Sequence, residues 1–107
     1  MIGKTVTVTI DRPLGTYHPE HPDMYYPVNY GFIAGIMGGD GEEQDAYVLG
    51  ADVPLKTFTG QVIAMIRRRD DVEDKWVVAP KGLRFTRGEI MDKVRFQEQF
   101  FDSFLIM

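Results

Sequence analysis

Thr5-Val6-Thr7-Val8-Thr9-Ile10 alternates polar and apolar β-branched residues without interruption. This period of two predicts a strand buried on one face, with its valines and isoleucine pointing inwards. Four further runs have strand character and are separated by turns rich in Gly and Pro: residues 28–36, 46–49, 60–66 and 75–78. Five short strands predict a closed or partly open β-barrel, because closure removes the exposed edges of a small sheet.

The last third of the chain changes its period. Residues 86–89, TRGE, have the form of a capping box, in which the Thr and Glu side chains bond each other's backbone amides. Directly after it, Ile90, Val94 and Phe101 fall on one face at helical spacing. The sequence therefore predicts a mainly β (α+β) fold with one C-terminal helix packed against the barrel.

Length and composition limit the possible functions. A chain of 107 residues predicts a single domain, 1–107, with one modest core. The net charge of −4 argues against nucleic acid as a partner, and no apolar run is long enough for a membrane span. The absence of cysteine excludes a cysteine nucleophile, and together with the lack of a signal-like N-terminus it favours a cytoplasmic location. The triplet 67–69, RRR, is followed by two aspartates and is predicted to be a solvated, self-paired turn.

An acidic loop stands between the second and third predicted strands. Asp40, Glu42 and Asp45 fall within six residues, directly after two glycines. Carboxylate oxygens are hard ligands for Mg²⁺, Mn²⁺ or Ca²⁺, and glycines let the backbone turn sharply enough to aim them at one point. Taken alone, such a loop is more often a solvated acidic turn than a metal site.

The sequence before this loop supplies a second signal. Residues 26–33, YPVNYGFI, followed by residues 40–45, DGEEQD, resemble the core of the soluble family I inorganic pyrophosphatases. In that family Y-P-x-N-Y-G-[FY]-I leads into D-G-D-P-x-D and an apolar strand. The resemblance implies an OB-like barrel and an inorganic diphosphatase-like hydrolase that cleaves pyrophosphate, a phosphoanhydride, with Mg²⁺ or Mn²⁺. It also implies a homo-oligomer.

The resemblance assigns roles to the first loop. Asp40, Glu42 and Asp45 would bridge divalent metals, and Glu42 would take the proton from a metal-activated water. Glu42 stands where the family has an aspartate, and residues 43 and 44 replace a proline and an apolar residue. Tyr30 matches a phenol that supports the site, although a tyrosine that merely packs in the barrel mouth is nearly as plausible.

A second acidic cluster, residues 70–75 (DDVEDK), precedes the fifth predicted strand and resembles the family's second metal loop. The resemblance places Asp70 or Asp71, together with Glu73, among the metal ligands, and Lys75 on a lysine that binds substrate phosphate. The adjacent Asp74 leaves this register open by one residue. The alternative is an acidic surface turn that precedes a strand.

Further candidates lie upstream. Asp11, within IDRP (residues 10–13), resembles a carboxylate that the family places near its metals. The family's remaining lysine and arginine donors have no counterpart here. The candidate replacements for binding phosphate are Arg12, His18 and His21, with Arg84 and the run 67–69 as further unassigned donors. The two histidines with Glu20 could instead bind a transition metal.

Two other functions stay open from sequence. One is a metal-dependent phosphohydrolase that acts on a larger phosphorylated substrate, and the other is a non-catalytic metal-binding or interaction protein with the same fold. Four aromatic residues near the C-terminus exceed what one helix stripe can bury, which supports the expected homo-oligomer: Phe96, Phe100, Phe101 and Phe104.

Overall fold

A computed structural model describes residues 2–107. Its elements, in chain order, are β1 (Thr5–Arg12), β2 (Asn29–Met37), β3 (Glu43–Val48), β4 (Thr57–Arg68), β5 (Asp74–Ala79), α1 (Arg87–Glu98) and β6 (Ser103–Ile106). All five predicted strands and the predicted helix are present, and the mainly β, OB-like barrel is confirmed. The sixth strand was not predicted. The helix in the described part of the chain is neither long nor apolar enough to cross a membrane.

Five of the strands close into a barrel in the order β1-β2-β3-β5-β4, and β4 returns to pair with β1. All of these pairings are antiparallel except that of β3 with β5. The long strand β4 pairs with two strands along the same edge: residues 57–61 pair with β1, and residues 65–68 pair with β6. Its last four residues therefore exchange β1 for β6 on that edge, while residues 65–67 stay paired with β5 on the other.

The core has two parts. The first contains the inward residues of β1, which are buried as their alternation predicted, together with Val48, Trp76 and Val78. The second lies between the barrel and α1 and contains Tyr47 and Ile66 with the helix residues. Successive residues of β3 belong to different clusters, so this strand is buried on both faces and reads as a continuous apolar run.

The predicted capping box is present at the start of α1. The Glu89 amide donates to the Thr86 hydroxyl (3.2 Å), and the Thr86 amide donates to the Glu89 carboxylate (2.8 Å). The helix ends at Glu98, so the prediction that Phe101 continues its apolar face was wrong. The chain leaves the helix there because residues 103–106 satisfy their backbone groups on the free edge of β4.

Residues 13–27 form a hairpin-like flap over the barrel. A bridge between Tyr17 and Tyr25 holds its two arms together, and the Tyr26 amide donates to the Thr16 carbonyl (2.9 Å). The fully buried Asn29 fastens its base, because the Asn29 side-chain oxygen accepts from the Leu14 amide (3.0 Å). The flap is thereby held against the barrel by the asparagine of the YPVNYGFI segment.

The glycine of the same segment allows two strands to approach closely. A Cβ atom at Gly31 would overlap the Thr9 carbonyl of β1, so no larger residue fits without moving that strand. The segment therefore has a structural explanation that needs no ligand: Asn29 holds the flap and Gly31 holds β1 against β2.

Candidate active site

A cavity of about 870 Å³ lies between the flap, the barrel and the C-terminal end of α1. Every barrel strand supplies a polar or charged side chain to it: Asp11 and Arg12 from β1, Tyr30 from β2, Asp45 from β3, Arg68 from β4 and Lys75 from β5. The flap contributes His18 and His21 among others. Seven of the predicted site residues, Lys75 included, therefore share one cavity, although they come from four strands and a loop.

Lys75 is the centre of the charged cluster. Its ammonium lies 2.6 Å from an Asp45 carboxylate oxygen and 3.0 Å from a Glu73 carboxylate oxygen, and it also lies over the Tyr30 ring. Burial lowers the pKa of Lys75, but Tyr30 and Asp45 outweigh it, and the net pKa is raised. The ammonium is therefore a permanent positive charge at neutral pH. Burial also raises the pKa of Tyr30, so its phenol keeps its proton.

The two acidic loops interact through their carboxyl groups. The pKa of Asp40 is lowered and that of Glu73 is raised, in each case chiefly through an interaction with the other carboxyl group. Like charges brought together repel each other once both are ionised, and a cation relieves that repulsion. The two loops thus bring Asp45 and Glu73 to the Lys75 ammonium, and Asp40 stays at the exposed turn of the first loop.

These donors fit a hard divalent cation in kind. All three are carboxylates, which are the ligands that Mg²⁺ and Mn²⁺ prefer. Among residues 2–107, no three Asp, Glu or His side chains are already gathered in an arrangement that could hold a metal ion. Lys75 and hydrogen bonds within the protein hold the carboxylates instead, so metal binding requires small side-chain movements.

The remaining candidates of the two loops lie further out. Glu42 is exposed, and its amide donates to the Asp40 side chain (3.0 Å) in a local turn. Asp70 accepts from the Asp102 amide (3.2 Å) and so fixes the start of β6. Asp71 accepts from the Val72 amide (2.7 Å) and also pairs with a buried arginine, Arg68. None of these three carboxylates lines the cavity, and neither does Asp40 or Glu73.

The upstream candidates lie at the cavity wall. Burial raises the pKa of Asp11, and the neighbouring Arg12 only partly offsets it. The His18 and His21 rings lie 4.8 Å apart. Slight burial and the charges of His21 and Arg12 lower the pKa of His18, and its Nδ1 accepts from the Glu20 amide (3.0 Å). That hydrogen bond occupies one of the nitrogens that a transition-metal site would use.

The burial of Arg68 is the main feature that sequence reasoning missed. The prediction of a solvated, self-paired turn was wrong, because residues 67 and 68 belong to β4, and the exposed Arg67 and Arg69 pair with Asp74 (3.1 Å) and Asp102 (2.9 Å), outside the predicted turn. Arg68 is 5% exposed and donates two hydrogen bonds to the Glu98 carboxylate, of 3.0 and 2.7 Å. The strand period was the available signal: residues 62, 64, 66 and 68 all point inwards.

Arg68 also reaches the second acidic loop. Its Nη1 donates to Glu73 (3.3 Å) and to Asp71 (3.4 Å), and its guanidinium stacks 3.6 Å from the centre of the Phe101 ring. A buried guanidinium with several partners holds each of them in a narrow range of positions. Arg68 is therefore a positioning residue for Glu73, which in turn contacts Lys75.

Beneath the cavity, Glu98 connects α1 to the barrel. The Tyr47 and Ser103 hydroxyls both donate to it at 2.6 Å. Burial raises the pKa of Glu98, but the hydrogen bonds from Arg68, Ser103 and Tyr47 outweigh it, and the net pKa is lowered. Gln97 extends the network by donating to the Tyr47 oxygen (2.8 Å). Within residues 2–107, no buried side-chain nitrogen or oxygen is left without a partner.

Comparison with known proteins identifies the family of the chain. Residues 4–94 match the family model described as inorganic pyrophosphatase. The inorganic pyrophosphatase of Ehrlichia chaffeensis is similar in structure, with a TM-score of 0.71 and 19% identity over 96% of this chain and 85% of that one.

Two further solved structures share the fold. The Neisseria gonorrhoeae enzyme has a TM-score of 0.64 and 21% identity over 88% of this chain and 72% of its own. The Thermus thermophilus enzyme has a TM-score of 0.63 and 17% identity over 100% of this chain and 85% of its own. Because the family model covers most of the sequence and the barrel agrees with these structures, the chain belongs to the inorganic pyrophosphatase family of diphosphatase-like hydrolases.

Proposed function

We propose that this protein hydrolyses inorganic pyrophosphate with Mg²⁺, or with Mn²⁺ in its place. The observation that carries the proposal is the approach of Asp45 and Glu73, from separate acidic loops, to one buried ammonium at the wall of a large cavity. Membership of the family supports the same reaction.

Asp40, Asp45 and Glu73 are the residues that would hold the divalent cation, and Asp11, Glu42, Asp70 and Asp71 stay further predicted ligands. When bound, such a cation lowers the pKa of a water and neutralises phosphate oxygens. Glu42 stays the predicted base, as the family resemblance implies. Asp45 is the carboxylate of the first loop that lines the cavity.

The chain's own cations bind the substrate. Lys75 presents a fixed positive charge to phosphate oxygens, and the protonated Tyr30 phenol can donate a hydrogen bond in the same cavity. Arg12, His18 and His21 line the same cavity and are the proposed contacts of the second phosphate. Arg68 pairs with Asp71, Glu73 and Glu98, and its proposed role is to position Glu73.

We also propose a homo-oligomer in the cytoplasm. Of the four aromatic residues that suggested an interface, Phe101 and Phe104 lie under arginine side chains and Phe96 packs on the core. Phe100 is 65% exposed and lines the cavity, so the rings beside the arginines, Phe101 and Phe104, are the ones that we propose for the subunit contact.

Phosphate release from pyrophosphate tests the proposed function, first with Mg²⁺ and then with Mn²⁺. Lys75→Met should lower kcat/KM by a hundredfold or more, because a positioned donor to developing charge is worth roughly two to three powers of ten. Asp92→Asn changes an exposed helix side chain outside the cavity and is the matched control. Absence of phosphate release from the wild type with both metals would refute the proposal.

A further inference from the structure

The cavity is much larger than pyrophosphate requires. Its volume of about 870 Å³ falls in the range of roughly 300–1,000 Å³ that is typical of sites for organic molecules of drug size. An inorganic pyrophosphate ion bound near Lys75 would leave most of this space to solvent.

The two sides of the cavity differ in chemistry. The barrel strands supply the charged side chains, whereas the flap and the end of α1 supply Tyr25 and Phe100. These two aromatic side chains are 44% and 65% exposed, and Tyr25 also meets the exposed Tyr17 ring at 5.4 Å between ring centres. Uncovered aromatic side chains that share a cavity with charged groups are typical of a site for an amphipathic ligand.

Resting on the proposed function, we infer that the cavity takes a phosphoanhydride that bears a planar organic group, of the nucleoside diphosphate or triphosphate class. The phosphates lie at Lys75 and Asp45, and the base contacts Tyr25 and Phe100. Stacking on aromatic side chains suits every base, because each has a π-face. The inference gives a role to the uncovered rings and to the part of the cavity that pyrophosphate leaves empty.

The reaction keeps the chemistry of the proposed function. Water forms a bond to the terminal phosphorus, and the anhydride bond between that phosphorus and the bridging oxygen breaks. The bridging oxygen keeps the bonding electron pair and stays on the nucleotide. The products are inorganic phosphate, a nucleotide shortened by one phosphate, and a proton from the attacking water.

Phosphate release should be measured with Mg²⁺ on pyrophosphate, tripolyphosphate, ADP and ATP. We expect kcat/KM for ATP to exceed that for tripolyphosphate by about tenfold, because stacking on an aromatic ring adds that much to base binding. Phe100→Ala and Tyr25→Ala should each lower the value for ATP about tenfold more than the value for pyrophosphate. Val53→Ala, at an exposed apolar residue outside the cavity, should leave that ratio unchanged.

The outcomes separate the two proposals. Hydrolysis of pyrophosphate with no preference for ATP, and no selective effect of either aromatic variant, overturns the inference and leaves the proposed function intact. Hydrolysis of the nucleotides without that of pyrophosphate supports the inference and refutes the proposed function.

Binding provides a readout that does not depend on turnover. Calorimetric titration with the methylene analogue of ADP and Mg²⁺ should show binding that Phe100→Ala weakens about tenfold. If the analogue does not bind, the inference is wrong. Light scattering on the same samples identifies the competing explanation: an oligomer that dissociates with Phe100→Ala, with no binding of the analogue, assigns the ring to a subunit contact and overturns the inference.

Discussion

Glu98→Ala removes the anion that neutralises the buried Arg68 guanidinium. The two side chains are 3% and 1% exposed, and Glu98 accepts four hydrogen bonds, two of them from Arg68. Removing one partner of a buried ion pair costs about 3–5 kcal/mol. Arg68 keeps its contacts to Asp71 and Glu73, so the cost here should lie at the lower end of that range. Loss of the bonds from Tyr47 and Ser103 adds about 1 kcal/mol each.

We therefore expect Glu98→Ala to lower the free energy of unfolding by about 5 kcal/mol. Stability of about 5–15 kcal/mol is typical for a domain of this size, so the loss is a large share of the total. The single tryptophan, Trp76, is buried, and its fluorescence reports unfolding in urea. The midpoint should fall at an unchanged denaturant slope.

Two variants sharpen the measurement. Asp92→Ala breaks an exposed pair with Arg95 on the same helix and should leave the midpoint nearly unchanged. The double variant Arg68→Met with Glu98→Leu removes both charges and should be less destabilised than Glu98→Ala. If Glu98→Ala costs less than about 1 kcal/mol, the carboxylate is not the compensating charge and the reasoning fails.

Three further predictions concern pH, metal and assembly. The pKa of Glu98 is lower in the folded state, so its contribution to stability is complete above the unfolded-state pKa of about 4.3 and is lost as pH falls through the folded-state pKa. Glu98→Gln should therefore make stability depend less on pH in the acid range, and an unchanged dependence would contradict this. Asp45→Asn should weaken Mn²⁺ binding and reduce the rise in melting temperature on adding Mn²⁺. Neither effect of the substitution should appear if the acidic loop is only a solvated turn. Phe104→Asp, at the ring that lies under the exposed Arg69, should shift light scattering towards monomer; a monomeric wild type at micromolar concentration would rule out the interface.

Local sequence was sufficient for the five barrel strands, the start of the helix and the family. Alternation identified β1 because a strand with one buried face must repeat every two residues. The capping box identified the start of α1 because its hydrogen bonds join residues only three apart. The glycine of the YPVNYGFI segment also has a local explanation, since a side chain at Gly31 would overlap β1.

The surroundings of each charge could not be predicted in the same way. Arg68 belongs to a run of three arginines, and only its partner Glu98, 30 residues away, shows that it is buried and paired. β6 went unpredicted because its partner is the free edge that β4 offers after turning away from β1. In both cases the stabilising partner lies on another element, and its position depends on how the barrel closes.

By itself, then, the sequence determined a barrel of five short strands, one capped helix and two acidic loops of the pyrophosphatase type, because those features depend on neighbours along the chain. The tertiary structure alone decided that Asp45 and Glu73 meet at Lys75, and that the flap and the end of α1 enclose a large cavity beside them. Electrostatic and packing interactions act through space, whatever the distance along the chain. Asp45 and Lys75 are 30 positions apart, and the flap and the helix are further apart still.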